Sequence, residues 1–203
     1  MQTKSTHIQS QRVALFGGAF DPVHNAHLEV ARRALAQASL DEVVLIPAAQ
    51  SPLKAHAPHV GDNDRLRMLD LAIAGERHFR VDSYEINKGG ISYSVDTARY
   101  FQASHPDAQL HWIIGADQFE QLAEWKQIED LAAMVRFLVV ARPGYQMQQP
   151  EVPGLVHTRI DAPLMSVSSS EIRKRCAEGR SIASLVPPTV EAFILAHRLY
   201  SCS

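Results

Sequence analysis

The sequence predicts an α/β protein: a doubly wound parallel sheet followed by a small C-terminal helical extension. Short apolar runs recur along the chain, each suited to a buried strand, and the segments between them keep helical spacing. Strand and helix alternate, an order that implies a parallel sheet covered on both faces. In such sheets the crossovers are right-handed, and ligands bind at strand carboxyl ends where the strand order reverses.

The first strand is the run Val13-Ala14-Leu15-Phe16, and Gly17-Gly18 after it allow a sharp turn and a close approach of backbone to a ligand. Asp21 followed by Pro22 suits a helix N-cap with proline at the first helical position, while Asn25 could equally cap a helix that starts later. Leu28, Ala31, Leu35 and Ala38 then hold one face, with Glu29, Arg32 and Arg33 on the wet side. Residues 43–46 form the second strand, and residues 48–61 a long loop of the kind that is usually functional or mobile. Asp62 or Asn63 caps a helix carrying Leu66, Leu69 and Ile73, and residues 79–86 alternate as a third strand before Gly89-Gly90. There follow a helix over 92–104, a strand over 110–114, one or two helices over 118–134 and a strand over 137–140. Residues 143–153 are an aperiodic linker before a short strand over 155–160. Ser168 opens a helix that stops near Gly179, and residues 189–199, after Pro187-Pro188, form the last helix.

A chain of 203 residues can bury a sizeable core and fits one domain of ordinary size with a small extension. A net charge of -2 and a pI near 6.5 argue against nucleic acid as a partner, because phosphate-backbone binding needs a clustered basic surface. Cys176 and Cys202 lie far apart without metal spacing, which points to a reducing compartment, so the cytoplasm is the expected location. Residues 1–11 are polar and read as a disordered arm. No run is long enough to span a bilayer, and no membrane partner is expected.

The densest group of chemistry-bearing residues follows the first strand. A helix N-terminus there carries orphan N–H groups and the positive end of a macrodipole, which makes it an anion site, with phosphate the obvious anion. His24 and His27, three residues apart, fall on one face and can point at one ligand. Gly-Gly could instead be only a tight connection, and either histidine a satisfied structural residue. Zinc is a rival reading of the pair, but neither a thiolate nor a clear third ligand lies nearby in sequence, so no protein-held metal is expected.

The run Gly17-Gly18-Ala19-Phe20-Asp21-Pro22-Val23-His24-Asn25-Ala26-His27 resembles the signature of the nucleotidylyltransferase superfamily. Residues 92–97 (Ser-Tyr-Ser-Val-Asp-Thr), Gly115-Ala116-Asp117, Trp125 and residues 168–173 occur in the order found in bacterial nicotinate-nucleotide adenylyltransferases, and the likeness runs from about Val13 to Tyr200. It implies a Rossmann-like domain over 12–165 and a C-terminal helical part over 166–203 that completes the site. The implied reaction joins ATP and nicotinate mononucleotide, with Mg2+, to give deamido-NAD and pyrophosphate. Carried over residue by residue, Gly17, Gly18, Ala19, Phe20 and Ala26 form the ATP stretch. His24 donates to the α-phosphate, and His27 to the triphosphate or its α–β bridge. Lys54 contacts phosphate. Ser169, Ser170 and Arg173 hold the leaving pyrophosphate, and Gly115 and Asp117 face a ribose. Trp125 stacks on the pyridine ring, and Tyr93, Ser94 and Thr97 bind the nicotinate carboxylate through amides and hydroxyls, which favours the acid over the amide.

Each residue also has a plainer reading: Lys54 as a solvated lysine, Ser169, Ser170 and Arg173 as a capping sequence, Asp117 as an N-cap, Trp125 as core. His56 and His59 read as loop residues. The sequence departs from the family pattern at Ala19 (Thr or Ser is usual), Ala26 (Gly), Ser170 (Thr) and Leu53 (His). The Ala26 methyl is the weightiest departure, expected to narrow the adenine pocket. Other acceptors, phosphopantetheine or nicotinamide mononucleotide, remain open, as does a non-catalytic nucleotide-binding regulator.

Overall fold

A computed structural model of the chain describes residues 10–52, 56–163 and 165–201. Lys54, Leu53, Cys202 and most of the predicted N-terminal arm lie outside the described residues. Six strands, β1 (Arg12–Gly18), β2 (Glu42–Pro47), β3 (Phe79–Val81), β4 (Gln109–Gly115), β5 (Arg136–Ala141) and β6 (His157–Asp161), form one sheet in the order β3-β2-β1-β4-β5-β6. Every pairing is parallel, with Ala14 opposite Val43 on one side of β1 and His111 on the other. The order reverses between β1 and β4, so Gly18 and Gly115, at the carboxyl ends of these neighbours, flank the switch point where ligands bind in such sheets.

Period-two alternation explains why both faces are covered. Ala14, Val43, Leu45, Ile113, Leu138 and Ile160 point to one face, under α1 (Asn25–Gln37), α2 (Asp62–Ile73), α7 (Ser169–Ala177) and α8 (Pro188–Ala196). Val13, Leu15, Val44, Ile46, Trp112, Ile114, Phe137 and Val139 point to the other. There they meet α4 (Ser94–Ser104), α5 (Ala116–Glu120), a 3-10 turn (Leu122–Glu124) and α6 (Ile128–Met134). Each fully buried Leu, Ile or Phe contributes roughly 1.5–3 kcal/mol of transfer free energy, so the two cores dominate the favourable term. Ile172 of α7 and Val190 and Ile194 of α8 lie in the first core, which makes the C-terminal helices a layer of the same sheet. No helix among the described residues is long and apolar enough to cross a membrane.

The structure corrects the expected boundaries in several places. The alternation over 79–86 yields a strand of three residues and then a short helix, α3 (Tyr84–Lys88), because the Asp82 carboxylate accepts the Tyr84 N–H at 2.8 Å and turns the chain. Helix α4 begins at Ser94 rather than at residue 92, since the Ser92 N–H is held by the Gln50 carbonyl. The last strand starts two residues later than expected, at His157. Helix α7 matches expectation: Ser168 caps it by accepting the Glu171 N–H, and Gly179, at φ +66, follows its end.

Candidate active site

Gly17 and Gly18 do not make the turn. They end β1 with no positive φ, and their value is the missing Cβ: at Gly17 it would lie 3.3 Å from the Trp112 ring, and at Gly18 3.0 Å from that of Phe20. The reversal is made by Phe20, at φ +46, and by a cis Asp21–Pro22 bond. Phe20 is buried edge-on to Phe16 at 5.6 Å and to His27 at 5.0 Å, so it is the floor on which His27 rests. Gly18→Ala is therefore expected to lower stability by about 1–3 kcal/mol through overpacking, read as a fall in denaturation midpoint.

Neither Asp21 nor Asn25 caps the helix. His24 is the N-cap of α1, and Asn25, its first residue, is tied to the Ser184–Leu185 backbone. The His24 N–H donates to Nδ1 of His27 at 3.2 Å, and the two rings stack at 3.6 Å. With Nδ1 accepting, the neutral His27 ring carries its proton on Nε2. His24 is 6% exposed, its Nδ1 is buried without a hydrogen-bond partner, and burial lowers its pKa to about 4. At neutral pH it is an uncharged imidazole with unused hydrogen-bonding capacity.

Asp21 is instead a buried acceptor that gathers distant segments. Its carboxylate takes the His59 N–H at 2.8 Å, approaches His59 Nδ1 at 3.0 Å and takes the Tyr200 hydroxyl at 2.9 Å. The Tyr200 pKa is raised, first by burial and then by the Asp21 charge. Arg173 donates to the Asp21 carbonyl at 2.6 Å and to Ser170 Oγ at 3.2 Å. Ser169, expected on pyrophosphate, spends its hydroxyl proton on the Pro22 carbonyl at 2.9 Å, so its side chain anchors the turn. Arg65 of α2, fully buried and not foreseen, donates to the Ala19 and Ala48 carbonyls at 2.8 and 2.7 Å and pairs with Asp62. It clamps the segment after β1 to that after β2.

Two cavities meet at this clamp, sharing Ala19, Ala48 and Ser51. The smaller, about 250 Å³, brings Ser170 and Arg173 together with Asp21, His56 and His59. The larger, about 560 Å³, brings Gly17, Gly18, Phe20 and His27 together with Tyr93, Ser94 and Trp125. Lys126, missed by sequence reasoning, lies at this end with its Nζ 3.9 Å from the centre of the Tyr93 ring.

Other expected residues are placed elsewhere. Thr97 is buried and its hydroxyl donates to Glu85 at 2.6 Å, so it does not reach the cavity. Asp117 and Gly115 stand at the end of β4 and line neither cavity; the Asp117 carboxylate folds over Gly115, 2.6 Å from where a Cβ would be. Ala26, in the first turn of α1, also lines neither, so its methyl walls neither of these spaces.

Fold and site together are those of the nucleotidylyltransferase superfamily. A sequence profile of the Cytidylyltransferase-like family matches residues 15–175. The chain is 38% identical over 190 residues to a protein of Opitutus terrae named "Probable nicotinate-nucleotide adenylyltransferase", covering 93% of this chain and 97% of that one. It is 43% identical over 201 residues to a Bordetella petrii protein of the same name, covering 94% and 99%. The solved structure titled "Plasmodium falciparum nicotinic acid mononucleotide adenylyltransferase complexed with NaAD" shares the fold, with a TM-score of 0.77 at 19% identity over 94% of this chain and 97% of that one. The chain belongs to the nicotinate-nucleotide adenylyltransferase family.

Proposed function

We propose that the protein transfers the adenylyl group of ATP to nicotinate mononucleotide, giving deamido-NAD and pyrophosphate. The observation that carries this reading is the pair of adjoining cavities. One is lined by a guanidinium and a serine at a helix N-terminus, suited to phosphates; the other by Trp125, Tyr93 and a lysine, suited to an aromatic acid. His27 lines the larger cavity, and His24, which lines neither, stacks on it at the start of α1.

In this reaction an acceptor phosphate oxygen, already ionised, attacks the α-phosphorus. A new P–O bond forms, the bond to the bridging oxygen breaks, and the electron pair leaves with pyrophosphate. No strong base is needed; orientation of two reactants is worth ~7–11 kcal/mol, against 10²–10⁴-fold for general-base help, so positioning and charge neutralisation dominate. His27 donates from Nε2. His24, uncharged and stacked on His27, donates in this proposal where charge develops on the α-phosphate. Arg173, fixed by the Asp21 carbonyl and Ser170, offers its charge to the leaving group.

Mg2+, when bound, neutralises negative charge on the triphosphate. Among the described residues no group of three His, Cys, Asp or Glu side chains is arranged to hold a metal ion, and Asp21 is the acid on the smaller cavity. Such ions take one or two carboxylates plus substrate phosphates and water, so the triphosphate itself supplies most ligands. Lys54 completes the phosphate contacts in this proposal, and Asp117 a ribose contact.

The test is pyrophosphate release from ATP with nicotinate mononucleotide, nicotinamide mononucleotide or phosphopantetheine. Rapid release with the first alone is expected. Equal turnover of the two mononucleotides would remove the acid preference, and ATP binding without turnover of any acceptor would make the protein a nucleotide-binding regulator.

A further inference from the structure

Glu85 is the buried acid that this scheme leaves unused. It sits in the short helix α3, is 5% exposed, and contributes to the wall of the larger cavity. Thr97 donates its hydroxyl to Oε1 at 2.6 Å, and the Ser92 hydroxyl lies near the same carboxylate. Ser92 Oγ also accepts the Ala49 N–H at 3.0 Å. With the Ala49 N–H entering, the one proton of the Ser92 hydroxyl is left to donate, and Glu85 is the acid near it. Beside it the Ser92 N–H donates to the Gln50 carbonyl, and residues 50 and 91 pair as a single parallel bridge. Lys88 of the same short helix is the cation nearest in effect, itself paired with Asp96 of α4.

The Thr97 bond ties Glu85 to α4, whose first N–H groups lack partners within the helix. Ala48, next to Ala49, is a wall shared by both cavities. We propose that Glu85 is a positioning residue for the acceptor: through Ser92 and Thr97 it sets the Tyr93–Ser94 backbone against the end of β2, and so fixes where the acceptor's acid group is held. The inference rests on the acceptor assignment proposed above and gives Thr97 a role behind the site rather than in it.

Glu85→Gln keeps an oxygen for the Thr97 hydroxyl but removes the charge and puts an NH2 donor in place of the second carboxylate oxygen. It is expected to raise the KM for nicotinate mononucleotide tenfold or more, with the KM for ATP within twofold of wild type. Thr97→Val removes one donor at nearly constant shape and is expected to shift the same KM by a smaller factor, while Thr97→Ser restores it. Thermal midpoints of all variants separate this from unfolding, and the threonine pair decides the matter if the glutamine variant does not fold. Parallel changes in both KM values, an unchanged acceptor KM, or no rescue by serine would overturn the inference. A wild type that turns over the mononucleotide alongside such variants leaves the functional proposal standing; one that does not ends both.

Discussion

His24→Ala is expected to lower kcat by about 10²–10³, the usual loss on removing one preorganised donor from a developing oxyanion. The same substitution is expected to make the protein less sensitive to acid. His24 titrates at about 4 in the fold because burial disfavours the imidazolium, whereas an unfolded chain takes up that proton near pH 6.5. Above pH 6.5 neither state is protonated there and the group contributes nothing. As pH falls from 6.5 to 4 the unfolded state gains a proton the native state lacks, so stability declines across that window, by about 3 kcal/mol at most, and levels off below it. Urea unfolding of wild type and variant at pH 7.5 and 4.5 measures this directly: the wild type loses more stability between the two than His24→Ala does. An equal loss in both would mean that His24 is not buried neutral. A variant with full kcat would remove it from the reaction.

What could be read from the sequence was what has a period or a local signature. The short apolar runs of β1 and β2 marked strands buried on both faces, and the serine before α7 announced its cap, because those signals act over a few residues. The likeness over residues 17–27 pointed to the carboxyl end of β1, where the strand order reverses. Purposes were less legible than positions. The glycines look like turn residues, but they exist to admit Trp112 and Phe20, a fact of packing across the strand end. Thr97 follows a helix start, a place suited to a ligand-binding hydroxyl, yet its partner is an acid twelve residues earlier. Arg65 reads as one polar residue of an amphipathic helix. Its targets are carbonyls 46 and 17 residues away, and nothing in a helical pattern marks an arginine that turns inward. His59, read as a loop residue, is a partner of buried Asp21 for the same reason.

Asp21→Ala is expected to show how far the phosphate end depends on one such long-range acceptor. The carboxylate joins residues 38 and 179 positions away, His59 and Tyr200, and it stands 3.8 Å from the Arg173 guanidinium. Its removal strands a buried tyrosine hydroxyl and an N–H, and takes the counter-charge from a half-buried arginine, so a loss of about 2–4 kcal/mol is expected, measured by urea unfolding at pH 7.5. Arg173 keeps its bond to the carbonyl of residue 21, and Ser169 its bond to that of Pro22, since both are to backbone. Of the ties that disappear, the one in the loop lining the smaller cavity is to His59. Under the proposed reaction the KM for ATP should therefore rise several-fold, while that for nicotinate mononucleotide stays near wild type, the reverse of the pattern expected for Glu85→Gln. Asp21→Asn, which keeps one acceptor oxygen and loses the charge, should fall between wild type and alanine on both measures. If instead both KM values rose together, the two cavities would act as one unit, and the clamp that Arg65 makes between Ala19 and Ala48 would transmit the disturbance from one end to the other.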